Sequence, residues 1–172
     1  ATDSQLVDIS AAFRFDDDLP TIDVRCSQTA VPTLTTQDAQ TIGAASDTAS
    51  GSFAALFTLS SNSGADDDGS VTPLSYGLSV TGAVSGLTSD GLAITLALDA
   101  ITGNVVGSTA SGAIFSISVA GDGTVTLTQF AEIDHLPESL NTTNNNANIG
   151  LLSGTVGLTA TATITDGDND QA

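Results

Sequence analysis

Basic side chains are almost missing from this chain: its 172 residues include Arg14, Arg25 and no lysine, against twenty Asp and Glu, for a formal charge of -18. Phosphate binding needs clusters of Lys and Arg, so nucleic acid is excluded as a partner, and anionic membrane surfaces are disfavoured for the same reason. Cations are the natural counter-charge. Cysteine is nearly absent too, and a single Cys26 allows no internal disulfide. A protein outside the cell then needs another source of stability, of which bound metal is one. Nothing resembles a signal peptide, and no apolar run reaches transmembrane length, so membrane insertion is not expected. The chain does not begin with methionine, which suggests a segment excised from something longer. Few aromatics and high charge are marks of disorder. Against that, 40% of the residues are hydrophobic and Val, Ile and Thr abound, which argues for a folded, strand-rich chain. The length suits a single compact domain with a real core, and a monomer is expected.

Helical periodicity is wanting everywhere except at Thr36 to Ala45, which has room for a short helix; alternation is common. Leu6 to Phe15 reads as a strand whose later half places Ala11, Phe13 and Phe15 on one face. Asp16-Asp17-Asp18-Leu19-Pro20 interrupts it, so residues 1–20 are read as an N-terminal strand and an acidic junction turn. Thr21 to Cys26 alternates again, on a strand where Cys26 reads as a buried small hydrophobe. Residues 21–172 are read as the sandwich domain. Ser27 to Ser52 looks irregular, with one short strand near Val31 to Leu34. Phe53 to Leu59 is apolar enough to enter the core. Further strands are expected around Tyr76, Leu78 and Val80, at Leu92 to Leu98 and Val105 to Ser108. Ile114 to Val119 and Thr124 to Phe130 are joined by Ala120-Gly121-Asp122-Gly123, a hairpin signal in which Asp122 is a turn residue. Glu132 to Asn148 reads as a loop, and Gly157 to Thr165 as a Thr-rich strand. Many short strands with Gly and Asp turns point to an all-β fold, an antiparallel β-sandwich of immunoglobulin-like general architecture with long acidic loops.

The strand ending at Thr165 runs into Asp166-Gly167-Asp168-Asn169-Asp170. Three carboxylates at alternate positions on a short loop can wrap oxygen ligands around one hard cation, and Ca²⁺ takes six to eight of them. The loop lacks the downstream Glu of an EF-hand. Asp16, Asp17 and Asp18 form a second candidate set, and Asp66 and Asp68 in the glycine-bracketed loop Gly64 to Gly69 a third. Each also has a bland reading as a solvated acidic turn. Asp134-His135 has the makings of an oriented base, but no serine lies in a Gly-x-Ser-x-Gly elbow and one histidine makes no zinc pattern, so packing is the reading and no enzyme is expected.

Phe53 to Phe57, Leu74 to Val80, Val84 to Leu87, Ile114 to Ile117, Gly123 to Phe130, His135 and Val156 to Asp170, in this order and spacing, resemble the tandem repeat domains of giant type-I-secreted bacterial adhesins of the RTX group. Asp16 to Pro20 resembles the acidic turn that opens the next repeat, with Leu19 where that family more often has glycine. The resemblance implies an extracellular spacer on the bacterial cell surface. It would project adhesive domains for cell adhesion or biofilm formation, with neighbouring repeats of the same chain as partners and host or biofilm ligands met through other domains. It also implies Ca²⁺ at the junctions, with the ligands at Asp166, Asp168 and Asp170 completed by Asp16 to Asp18 of a following repeat. A sugar- or peptide-binding module of the same kind of protein, using Glu132 to Asn148, is the alternative.

Overall fold

The computed structural model describes residues 1–65, 69–135 and 148–171. The acidic loop at Asp66 and Asp68 and most of the Glu132 to Asn148 loop lie outside the described residues. The described residues contain no α-helix. In order they form β1 (Thr21–Cys26), β2 (Asp47–Ser52), β3 (Phe57–Asn62), β4 (Ser70–Val71), β5 (Ser75–Val80), β6 (Val84–Ser89), β7 (Leu92–Leu98), β8 (Val105–Thr109), β9 (Gly112–Val119), β10 (Thr124–Gln129), β11 (Val156–Thr161) and β12 (Ile164–Thr165). Short 3₁₀ turns occupy Ser10–Ala12, Asp38–Gln40 and Ala54–Leu56.

Length alone suggests one domain; the contacts divide the chain into two compact units. One gathers Ala1–Asp23, Ser60–Thr72 and Thr163–Ala172, the other Val24–Leu59 and Pro73–Ala162. β1 and β3 pair with each other.

The larger unit is the β-sandwich. Its main sheet has the order β2-β10-β9-β8-β7-β6, an antiparallel meander from β6 to β10 with β2 added beside β10. A second sheet, β11-β5, pairs Leu158 with Leu78 and lays Leu78, Val80 and Val156 over the core of Ile94, Leu96, Val105, Ile114 and Phe115. Ile94 and Leu96 are buried on β7 while their neighbours face out, the period-2 pattern that the alternation of Leu92 to Leu98 predicts. The Asp122 hairpin forms as expected: Asp122 Oδ1 accepts from Thr124 N–H at 2.9 Å, and Gly123 takes the left-handed φ of +79° that this turn requires.

Ser85 sits inside a bulge of β6, fully buried. Its hydroxyl donates to the Ile94 carbonyl at 2.6 Å and accepts from Leu87 N–H at 3.0 Å. Replacing it with Ala withdraws both partners inside the fold, where an orphaned polar group costs about 1–3 kcal/mol. Ser85→Ala is expected to lower the melting temperature by several degrees, measured by circular dichroism, while Ser85→Thr keeps the hydroxyl and recovers part of the loss.

Several expectations are overturned, and Asp47–Ser52, inside the stretch that looks irregular, forms β2. Leu6 to Phe15 is not a strand: apart from the turn Ser10–Ala12 it is irregular, and residues 1–19 are all exposed. A strand needs a neighbour for its backbone groups, and none is formed among the described residues. Cys26 is exposed rather than buried, because it ends a strand that pairs only with β3 among the described residues. Val31 to Leu34 has no strand partner among the described residues. Phe53 to Leu59 does reach the interior: it turns at Ala54–Leu56, enters β3, and lines the interior at Phe53, Leu56 and Phe57.

Candidate metal centre

The smaller unit is organised around two short strands and the loop that follows them. β12 pairs with β4, Ile164 opposite Val71 and Thr165 opposite Ser70, and Ile164 is almost wholly buried. That anchor fixes the start of the acidic loop. Asp166 N–H donates to the Asp170 carbonyl at 3.0 Å, Asn169 N–H to the Asp166 carbonyl at 3.3 Å, and Thr165 makes a bridge to Gln171. Asn169 has φ +76°, a left-handed conformation that Asn tolerates better than most residues. The Asp-Gly-Asp-Asn-Asp order therefore closes into a turn rather than trailing as a tail.

Closure turns the carboxylates toward one another. Asp166 Oδ1 accepts from Asp170 N–H at 2.8 Å. Its other oxygen, Oδ2, is buried without a hydrogen-bond partner, on a residue only 4% exposed. A buried anionic oxygen without a donor is costly. The Asp168 carboxyl is pushed up from the ordinary carboxylate value, first by the close approach of the Asp166 side chain, then by desolvation and by the charges of Asp166 and Asp17. Asp17, Asp168 and Asp170 each present an oxygen, all within 4.8 Å of one another.

Asp17 and the loop belong to the same chain, although some 150 residues separate them in sequence. Reading along the sequence leaves the completing ligands to a following repeat; the fold brings this chain's own Asp17 to Asp168 and Asp170. Asp18 is used differently. Its Oδ2 accepts from Ala65 N–H at 3.0 Å, beside Gly64, where a Cβ would stand 2.8 Å from the same oxygen and φ is +75°. Asp16 is exposed and does not join the three-carboxylate group. Asp66 and Asp68 lie outside the described residues.

The donor set is all oxygen and strongly anionic, which suits a hard divalent cation. Loop-borne carboxylates of mixed reach fit the variable coordination of Ca²⁺ better than the strict octahedron of Mg²⁺. Asp17, Asp168 and Asp170 would hold the ion, and Asp166 would orient the loop and lend its charge.

The histidine has a different partner from the one its sequence suggests. His135 Nδ1 lies 3.2 Å from Asp38 Oδ2 and 2.9 Å from the Ile133 carbonyl. Asp134 instead accepts from the N–H groups of Asp90 and Gly91 at 3.0 and 2.9 Å. Asp38 also takes Gln129 Nε2 and, at 3.1 Å, Ile133 N–H. It thus ties its own 3₁₀ turn to the end of β10.

The sequence model of DUF5801, a domain of unknown function, matches residues 33–172. The chain belongs to that family. In this DUF5801 domain the matched span includes the whole Asp166 to Asp170 loop, while Asp17 lies before it. No curated protein and no solved structure matches the chain.

Carboxylates also serve this domain as turn locks. Asp99 accepts from Ile101 and Thr102 N–H at 2.8 and 3.0 Å, and its backbone bond to Thr102 is the main reason its carboxyl is held below the ordinary value. Asp122 is lowered chiefly by the Thr124 N–H, and Asp134 by the Thr88 side chain, then by Gly91 N–H. A folded-state value below the unfolded one gives stability that is complete above the unfolded value, near 3.8, and is lost as pH falls through the folded value. Asp99→Asn, Asp122→Asn and Asp134→Asn are each expected to lower the melting temperature slightly at neutral pH and to converge on wild type in strong acid. Melts across an acid series check this.

Proposed function

We propose that this DUF5801 domain is a Ca²⁺-binding structural repeat of a secreted cell-surface adhesin, a spacer that carries adhesive domains away from the cell. One observation carries the cation reading: Asp17, Asp168 and Asp170 converge within 4.8 Å beside the buried, unpartnered Oδ2 of Asp166. The spacer reading rests on the order of motifs that the chain shares with repeats of RTX-type adhesins.

The physical mechanism is restriction of chain freedom. Without a cation the carboxylates repel one another. An ion bridging them converts repulsion into attraction and limits how the segment that enters the domain moves relative to the one that leaves it. A stiff repeat transmits direction along a series; a floppy one does not.

Calorimetric titration of chelator-treated protein tests the site. Saturable Ca²⁺ binding is expected, with Kd of roughly 0.1 to 1 mM as in extracellular calcium modules, and with Mg²⁺ weaker. Asp17→Asn should weaken it as strongly as Asp168→Asn, since both supply a ligand. Binding unaffected by Asp17→Asn would move the ion away from this cluster, and no binding at all would remove the cation reading.

A further inference from the structure

Two kinds of carboxylate oxygen meet in the smaller unit. Asp17, Asp168 and Asp170 are exposed, within reach of an ion with or without its water. Asp166 is 4% exposed, and its two oxygens are placed differently. Oδ1 accepts from Asp170 N–H at 2.8 Å, whereas Oδ2 is buried and no donor among the described residues reaches it. The local fold makes that burial. β12 delivers Ile164, 1% exposed, two residues before it, and the backbone of Gly69 packs against the same turn. A Cβ at Gly69 would stand 3.1 Å from the Thr165 carbonyl oxygen, 3.4 Å from Asp166 Cα and 2.8 Å from Ser63 Cβ.

Asp166 nevertheless belongs beside the other three. Its side chain lies against that of Asp168, which presents an oxygen within 4.8 Å of those of Asp17 and Asp170. Burial then decides how a cation uses it. An exposed carboxylate serves an ion either directly or through the ion's bound water. A buried oxygen closed to water serves it by direct contact alone, once the ion has lost water on that side. Ca²⁺ gives up water readily and accepts an adaptable shell of oxygens at about 2.3–2.6 Å; Mg²⁺ dehydrates reluctantly and demands an octahedron at about 2.0–2.1 Å.

We propose that Asp166 Oδ2 is a direct, water-free ligand of the bound cation and the group that selects Ca²⁺ over Mg²⁺. Calcium, stripped of water on that side, satisfies the orphaned oxygen. Magnesium keeps its water, stays among the exposed oxygens of Asp17, Asp168 and Asp170, and leaves Oδ2 without a partner. The two ions then differ by the cost of one unmet buried anionic oxygen. The assignment rests on the cation reading above and adds a cause of selectivity to it: charge attracts either divalent ion, and burial chooses between them.

Calorimetric titration of the chelator-treated chain with CaCl₂ and with MgCl₂, for wild type, Asp166→Asn and Asp168→Asn, tests this. Asn at 166 keeps an Oδ1 that accepts from Asp170 N–H, so the turn keeps its bond, and a melt in EDTA verifies the fold. Wild type is expected to bind Ca²⁺ about tenfold more tightly than Mg²⁺, or better. Asp166→Asn should weaken Ca²⁺ by about tenfold and Mg²⁺ by no more than about threefold, bringing the two affinities together. Asp168→Asn, at an exposed ligand, should weaken both by similar factors. Removing one negative charge acts alike on two divalent ions, so a purely electrostatic role for Asp166 predicts equal weakening, or loss of both ions together. That result overturns the proposal. A wild type that binds the two ions equally overturns it as well, without need of any variant. Both results leave the cation site standing, whereas a wild type that binds no Ca²⁺ removes the site and the selectivity with it.

Discussion

Adding CaCl₂ to metal-free protein is expected to raise its melting temperature by several degrees, and Asp168→Asn or Asp17→Asn to erase most of that rise. A ligand bound only by the folded state stabilises it by RT ln(1 + [L]/Kd), about 2.7 kcal/mol at a hundred times Kd. With Kd of roughly 0.1 mM, ten millimolar calcium reaches that ratio. For a chain of this size each kcal/mol moves the midpoint by about 2–4 °C, so the rise is about 5–11 °C. The two variants act in a second way, by relieving repulsion among Asp17, Asp166, Asp168 and Asp170. In EDTA they should therefore melt at or above wild type, and only in calcium below it. That crossing of order separates a metal ligand from a merely structural carboxylate. Coincident wild-type melts in EDTA and in calcium would count against the cation reading. Asp166→Ala is expected to be more harmful in EDTA than the others, because it removes the Oδ1 that holds the loop through Asp170 N–H.

The largest loss of stability is expected at Phe115. Its ring is 2% exposed and lies over Gly107, its partner across β8 and β9. A Cβ at Gly107 would stand 2.3 Å from the ring Cζ and 2.4 Å from Cε1, far inside the carbon–carbon contact distance of about 3.5–4.0 Å. The glycine is needed for space, since the aromatic ring fills the place of the missing side chain. Phe115→Ala empties the middle of the sandwich and is expected to cost about 3–5 kcal/mol. Gly107→Ala forces the ring off its position and is expected to cost about 1–3 kcal/mol. The double variant should lose less than the sum, because the new methyl no longer meets a ring and the two sites touch. Urea denaturation of the four proteins closes the cycle. Strict additivity would mean that ring and glycine are independent, contrary to their contact.

Strand identity was legible where apolar and polar residues alternate on the main sheet, and not at Asp47–Ser52, whose small polar side chains form β2 without an apolar face. Leu92 to Leu98 and Ile114 to Val119 alternate because one face meets the core and the other water, and that difference is written into side-chain polarity. Leu6 to Phe15 carries the same alternation and forms no strand, since periodicity states which face seeks cover and not whether a partner is present. Cys26 failed for a related reason: a strand assignment implies burial only when a second layer lies above it.

The acidic loop divides in the same way. Alternation of Asp with Gly and Asn over residues 166–170 announces a turn able to gather oxygens, a local property set by backbone freedom and side-chain reach. Which carboxylate completes it is a matter of chain path. Sequence alone determined an all-β chain, its acidic character and the Asp166 to Asp170 turn, because composition, period and turn chemistry act over a few residues. Tertiary structure decided that Asp17 rather than Asp16 or Asp18 meets Asp168 and Asp170, that Asp18 holds Ala65 instead, and that one oxygen of Asp166 is buried. Those outcomes depend on contacts between residues far apart along the chain, for which no local pattern exists.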